Sequence, residues 1–278
     1  MKTLVTHISP DMDAATSVWL ILKYLPGWKD AQLAFVPTGS TLNGMQPDAD
    51  PDIIHVDTGL GKFDHHQFKA ELSASLIIFR YLRKNNHIPH YDVEALERLA
   101  TFVNKIDNFG EVYFPDATAD VYDFTIYQLV EGLKPTMPGN EDLIHFVSSA
   151  LEGILQVLKN KIRAEKEIPQ GMDIETSWGK ALVIESKNEE LVKLAQKKGY
   201  KLVARRDPVR GFIRIKCIPD DKYDLSKLHE RILETDKTGT WFLHASKHML
   251  LNGSSKNPDF FKPSSLKLQD LIELIREI

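Results

Sequence analysis

Four short stretches, all within the first 110 residues, concentrate carboxylates and imidazoles. "THISPDMDAAT" carries His7, Asp11 and Asp13, and "IIHVDTG" carries Asp57. "FDHHQ" sets Asp64, His65 and His66 side by side, and "FVNKIDNFG" holds Asp107. Ionisable side chains in a row are costly to desolvate and add little to a core. Each cluster has an ordinary structural reading, with Asp13 as a helix cap, His7 as a satisfied polar group, and Asp57 and Asp107 as turn acids. Together they fit the needs of a paired divalent-metal site. Two dications about 3.5–4 Å apart repel, so a carboxylate must lie between them and further anionic ligands around them. Such a pair makes water nucleophilic near neutral pH and takes up charge on both oxygens of an in-line attack at phosphorus. Imidazole and carboxylate donors suit Mn²⁺, with Mg²⁺ or Co²⁺ as alternatives, over a thiolate-seeking ion. In an extended loop Asp11 and Asp13 diverge, so they could serve adjacent ions.

The elements that must position these groups follow from hydrophobic period. "TLVTHIS", "AQLAFVPTG" and "DIIHVDTG" read as strands, and "AATSVWLILKYL", "SASLIIFRYLRKN" and "VEALERLATFVNKI" as helices. Strands alternating with helices predict an α/β layer with a mostly parallel sheet flanked by helices. Ligands of open α/β sheets bind at the carboxyl edge of the strands, where His7 and Asp57 fall. Prolines and glycines in "EGLKPTMPGNED" break the pattern. A long helix then runs from about Glu141 to Lys166, with Ile144, Val147, Leu151, Ile154, Leu155, Leu158 and Ile162 on one face. The expected organisation is a metal-binding domain over 1–135, a linker helix over 136–170 and a smaller mixed α/β domain over 171–278. In the latter, "KALVIES", "KLVARR", "GFIRIKCI" and "WFLHASKHML" read as strands, and "NEELVKLAQKKG", "DLSKLHERILET" and "LKLQDLIELIREI" as helices.

The ordered motifs "HISPDMDA", "VDTG", "FDHHQ" and a later lone Asp resemble those of the DHH phosphoesterase superfamily. That group includes RecJ-type exonucleases, nanoRNA and cyclic-dinucleotide phosphodiesterases, and family II pyrophosphatases. "FDHHQ" with a long linker helix and "WFLHASKHMLLNGS" looks nearest to the melanocyte-proliferating-gene type, thought to act on RNA. The resemblance implies that His7 and Asp11 hold one metal, that Asp13, His65 and Asp107 hold the other, and that Asp57 bridges them. It further implies that Asp64 steadies the His65 ring and that His66 contacts the substrate phosphate. The glycine-rich substrate motif usual in the second domain of this family is replaced here by "FLHASKHMLLNGSSKNP". Candidate substrate-binding groups there are His244, Lys247, His248, Gly253, Ser254, Ser255 and Lys256, together with Arg214 from "FIRIK" and nearby Arg205, Arg206 and Arg210.

Charge is unevenly spread. Residues 1–135 hold 11 Lys and Arg against 18 Asp and Glu, whereas residues 171–278 hold 20 against 16. Such blocks are ordinarily solvated surface, but acids that hold cations and bases that meet an anion would give the same pattern. The overall acidity argues against a grip on long duplexes, which needs many phosphate contacts. Expected partners are therefore short oligonucleotides or nucleotide phosphodiesters. A phosphoanhydride hydrolase of the pyrophosphatase type and a non-catalytic nucleotide sensor are the competing readings. No apolar run is long enough to span a bilayer. The start "MKTLVTHISPD" enters a strand without a signal-peptide core, and the single Cys217 reads as a small buried hydrophobe, so a reducing cytoplasm is expected.

Overall fold

The computed structural model describes residues 1–253 and 262–278. The chain forms two compact units, Met1–Lys159 and Asn160–Ile278. Among the described residues no helix is long and apolar enough to cross a membrane.

In the first unit β1 (Thr3–His7) lies between β2 (Gln32–Val36) and β3 (Ile53–His55), and both pairings are parallel. Four of the five β1 residues are buried, as expected of a strand covered on both faces. The crossover from β1 to β2 is α1 (Met12–Tyr24), buried along nearly its whole length because Ala14, Ala15, Val18, Leu20 and Ile21 leave no polar face. Helices α2 (Ala74–Lys84) and α3 (His90–Asp107) pack beside it. A short α4 (Ile126–Leu133) precedes and runs into the expected break at "EGLKPTMPGNED". The long helix α5 (Asn140–Glu167) buries Ile144, Val147, Leu151 and Leu155 at three- and four-residue steps.

The second unit is a six-stranded mixed sheet in the order β4-β5-β6-β7-β9-β8. Its strands are β4 (Met172–Thr176), β5 (Gly179–Glu185), β6 (Leu202–Arg206), β7 (Ile213–Cys217), β8 (Trp241–Leu243) and β9 (Met249–Asn252); only β5 and β6 run parallel. Along β5 successive side chains alternate between two cores. Ala181 and Val183 face α7 (Ser226–Thr235) and α8 (Leu268–Arg276), while Leu182 and Ile184 face α6 (Glu190–Lys197). "WFLHASKHML" is therefore not one strand. His244 to Ser246 turn the chain, and β8 pairs antiparallel with β9, because the polar run between the apolar ends has no buried face to occupy. Cys217 is buried in this core, and burial pushes its thiol up to about 11.

Asp236, at the end of α7, is a buried hub. It accepts hydrogen bonds from Ser264 Oγ (2.6 Å), Trp241 Nε1 (2.9 Å), Ser265 Oγ (2.9 Å) and Gly239 N (3.0 Å). Burial alone would raise its pKa, but these donors hold it well below the usual carboxylate range. A depressed carboxylate stabilises the fold above its unfolded value, near 3.9, and that contribution is lost as pH falls through the folded value. Asp236→Ala strands several buried donors, and we expect urea titration to show a loss of about 3 kcal/mol at neutral pH that narrows toward pH 2.

Candidate active site

Parallel pairing carries His7, the last residue of β1, and Asp57, two residues beyond β3, to the same carboxyl edge. His7 Nδ1 lies 3.0 Å from the Ile8 carbonyl, which fixes Nδ1 as the proton-bearing nitrogen and turns Nε2 toward the acids. Nε2 sits 3.4 Å from Asp57 Oδ2 and 4.0 Å from Asp11 Oδ2. Asp57 occupies the left-handed region at φ 53, tolerable for Asp but strained, and its amide donates to the Phe63 carbonyl. Its other oxygen, Oδ1, lies 3.2 Å from His65 Nε2, and His65 Nε2 in turn lies 3.7 Å from Asp107 Oδ2 at the end of α3.

By sequence Asp13 could cap α1, but in the structure it does not. Asp11 is the cap, its Oδ1 accepting from the amides of Asp13 and Ala14, both at 2.9 Å. Asp13, one residue inside the helix, instead reaches the start of α2 and accepts from Ala74 N (2.7 Å) and Ser75 N (3.0 Å). The role expected of Asp64 is also corrected. Its Oδ1 lies 2.7 Å from Nδ1 of His66, not of His65, and its Oδ2 accepts from Leu60 N at 2.7 Å. Two residues along a tight turn is the reach of a short Asp side chain, whereas His65 swings its ring toward Asp57.

Three sets of donor atoms therefore gather within 4.8 Å of one another: His7, Asp11 and Asp57; Asp13, His65 and Asp107; and Asp57, His65 and His66. Asp57 belongs to the first and third sets and His65 to the second and third, so the sets form one continuous cluster. Burial and the neighbouring carboxylates raise Asp11 and Asp13, and lift Asp107 to about 6. Burial pulls His7 down, but Asp57, the Ile8 carbonyl and Asp11 outweigh it and lift the ring to about 9. Asp57 likewise leads the groups that lift His65 to about 9. Burial would raise Asp57, yet the two imidazoles hold it below its ordinary value.

This is a field short of positive charge. Asp57 Oδ1 and Asp107 Oδ2 are buried and have no hydrogen-bond partner, despite the nearby His65 ring. Lone pairs left unpaired in a cluster of four acids and three imidazoles fit a metal cation, which would supply the missing partner at those oxygens. The residues can hold metal ions.

A cavity of about 530 Å³ opens onto the cluster. Asp11, Asp13, His65, His66 and Asp107 line it, as do Phe109 and Glu111, which the sequence reading passes over. The one signal for Phe109 is a large aromatic just after a helix end, where glycine is customary.

The remaining candidates belong to the second unit. Arg214 in β7 pairs with Glu189 at 3.1 Å and shares a face with Lys216. Arg205 is buried and donates to the Ser186 carbonyl, and Arg206 pairs with Glu185. The amide of Arg210 donates to Asp207. His244 packs on Ser246, Lys247 pairs with Asp224 at 2.8 Å, and His248 lies in the same β8–β9 turn. Gly253 has φ 97, and a side chain there would collide with the Phe212 ring. Ser254, Ser255 and Lys256 lie outside the described residues.

No protein-family model matches the chain, and no curated protein matches it. Among solved structures it is similar to an uncharacterized protein from Helicobacter pylori, with TM-score 0.30 and 14% identity over 99% of each chain. It is also similar to RecJ in complex with Mg²⁺ from Thermus thermophilus, with TM-score 0.29 and 13% identity. That match covers 92% of this chain and 47% of RecJ, so the chain spans about half the length of that relative. A third is the DHH domain of a member of a family of ribosomal proteins, with TM-score 0.30, 12% identity and coverage of 90% and 82%. Scores near 0.3 transfer no chemistry. The site is read on its own side chains.

Proposed function

We propose that the chain is a metal-dependent phosphodiesterase of the DHH phosphoesterase kind that hydrolyses short oligonucleotides or small nucleotide diesters. One observation carries this: seven potential ligands from four separate stretches converge in the first unit, leaving two buried carboxylate oxygens without partners. His7 and Asp11 would hold one divalent cation and Asp13, His65 and Asp107 a second, with Asp57, whose two oxygens face His7 and His65, placed between the sets. Bound dications supply Lewis acidity, which eases deprotonation of water and neutralises charge developing on a phosphoryl group. The donor set favours Mn²⁺, with Mg²⁺ or Co²⁺ as alternatives.

The remaining work falls to the side chains. Asp64 is fully buried and anchors Nδ1 of His66, whose side chain is half exposed at the cavity. Held this way, His66 presents Nε2 to a phosphate oxygen and orients the diester. Val103 and Ile106 give the cavity an apolar wall on the α3 side. Asp64→Asn loses the charge that fixes the ring, and we expect kcat to fall by about 10- to 100-fold while metal content, measured by mass spectrometry, is kept.

The test is hydrolysis by metal-free and Mn²⁺-loaded protein of labelled two- to five-residue RNAs, bis-p-nitrophenyl phosphate and pyrophosphate. Metal-dependent cleavage of the diesters is expected. Turnover of pyrophosphate alone would instead make the chain a phosphoanhydride hydrolase, and nucleotide binding with no product would make it a sensor.

A further inference from the structure

We propose that Phe109 is the stacking platform for a nucleobase of the substrate, an inference that rests on the phosphodiesterase reading and names a specificity residue within it. Phe109 lines the cavity that holds Asp11, Asp13, His65, His66 and Asp107. It lies just past Asn108, the C-cap of α3, and its amide donates to the Ile106 carbonyl at 2.9 Å. Its backbone lies in the left-handed region, at φ 57 and ψ 23, which a bulky residue rarely adopts. The next position explains why the strain falls here. A Cβ at Gly110 would stand 2.7 Å from the Lys105 carbonyl oxygen, so the chain must hug the helix end.

No packing offsets that strain, since the Phe109 residue is 74% exposed. Of the nearby rings, Phe102 stacks on Phe114 at 6.4 Å and Phe114 meets Tyr122 at 5.2 Å, while Tyr113 and Phe124 are exposed as Phe109 is but do not line this cavity. Among the described residues Phe109 joins no such pair. A strained aromatic presented to solvent beside a phosphate-handling cluster suits a flat, apolar ligand face, and every nucleobase has one.

Charge limits how far the ligand extends. Beyond Phe109 the exposed stretch with Val112, Tyr113, Val121 and Phe124 is interleaved with Glu111, Asp116, Asp120 and Asp123. A phosphate chain laid along it would be repelled. The platform therefore serves one base next to the scissile group, which fits a short substrate.

The experiment is calorimetry of the Mn²⁺-loaded full chain with adenosine 5′-monophosphate and with ribose 5-phosphate, which share the phosphate and differ in the base. Wild type should bind the nucleotide about tenfold more tightly. Phe109→Leu, which keeps apolar bulk without a π face, should bring the two affinities within about twofold, and Phe109→Trp should keep the preference. A preference unchanged in Phe109→Leu overturns the proposal and points to a protein partner for the exposed stretch, as does an equal affinity for both ligands in wild type. Dinucleotide hydrolysis by the same samples separates the two levels. Turnover with an unchanged preference sinks the stacking role alone, whereas a Phe109-dependent preference without turnover sinks the catalytic reading alone. Binding of neither ligand overturns both.

Discussion

Asp57→Asn will abolish metal-dependent hydrolysis, with kcat/KM falling by roughly a thousandfold or more. Asp57 is 2% exposed, and its two oxygens lie within 3.4 Å of His7 Nε2 and 3.2 Å of His65 Nε2. Asparagine has nearly the same shape and tolerates the left-handed conformation at φ 53, so the backbone turn survives. What goes is the charge shared between the ligand sets. Metal analysis should accordingly show loss of at least one ion per chain. A second readout separates electrostatics from misfolding: in metal-free Asp57→Asn the His7 and His65 imidazoles should titrate well below the value near 9 that Asp57 helps to set. A folded variant that keeps full metal content and activity would remove Asp57 from the centre of the site.

Stripping the metal will make the stability of the first unit fall as pH rises from about 5.5 to 9, and restoring Mn²⁺ will cancel the fall. The sign follows from the direction of each shift. His7 and His65 are raised to about 9, so their contribution is complete below the ordinary 6.5 and disappears as pH climbs through 9. Asp107, raised to about 6, also holds its proton more tightly when folded, and its contribution disappears between 3.8 and 6. Asp57 is shifted the opposite way, but its contribution changes only at lower pH. Asp11 and Asp13 are shifted in the same direction as Asp107, so the metal-free cluster loses stability on the same rising-pH side as His7 and His65 give up their charge. A cation at 100 times its Kd adds about 2.7 kcal/mol, or a rise in Tm of about 5–10 °C for a unit of this size. Differential scanning calorimetry with and without chelator across that range measures both effects. A metal-free Tm that climbs with pH would contradict the arrangement of charges described above.

The α/β alternation was readable from apolar period because β1, β3 and α1 are buried almost throughout and their sequences say so. The four ligand clusters were readable for the opposite reason: buried acids and imidazoles have no structural return. The finer assignments were not readable, because they turn on one-residue differences in reach. Asp11 and Asp13 are equally good caps by type, and only the entry angle of the chain gives the cap to Asp11 and sends Asp13 to α2. Neighbouring His65 and His66 are likewise indistinguishable until their rings point to Asp57 and Asp64 respectively. Strand β4 was missed because it is an edge strand with only Ile174 buried, which leaves no alternation to detect. Phe109 leaves only a faint mark in the sequence, an aromatic where a helix-ending glycine is customary, because exposure and a left-handed backbone have no periodic pattern.

The tether between Asp13 and the first amides of α2 bears on how quickly ions come and go. Both carboxylate oxygens are already fastened at 2.7 and 3.0 Å before any cation arrives, so loading resembles docking into a finished socket. Ion exchange should then proceed without a lag from chain rearrangement. The Ala74 and Ser75 amides should already resist deuterium in the empty protein.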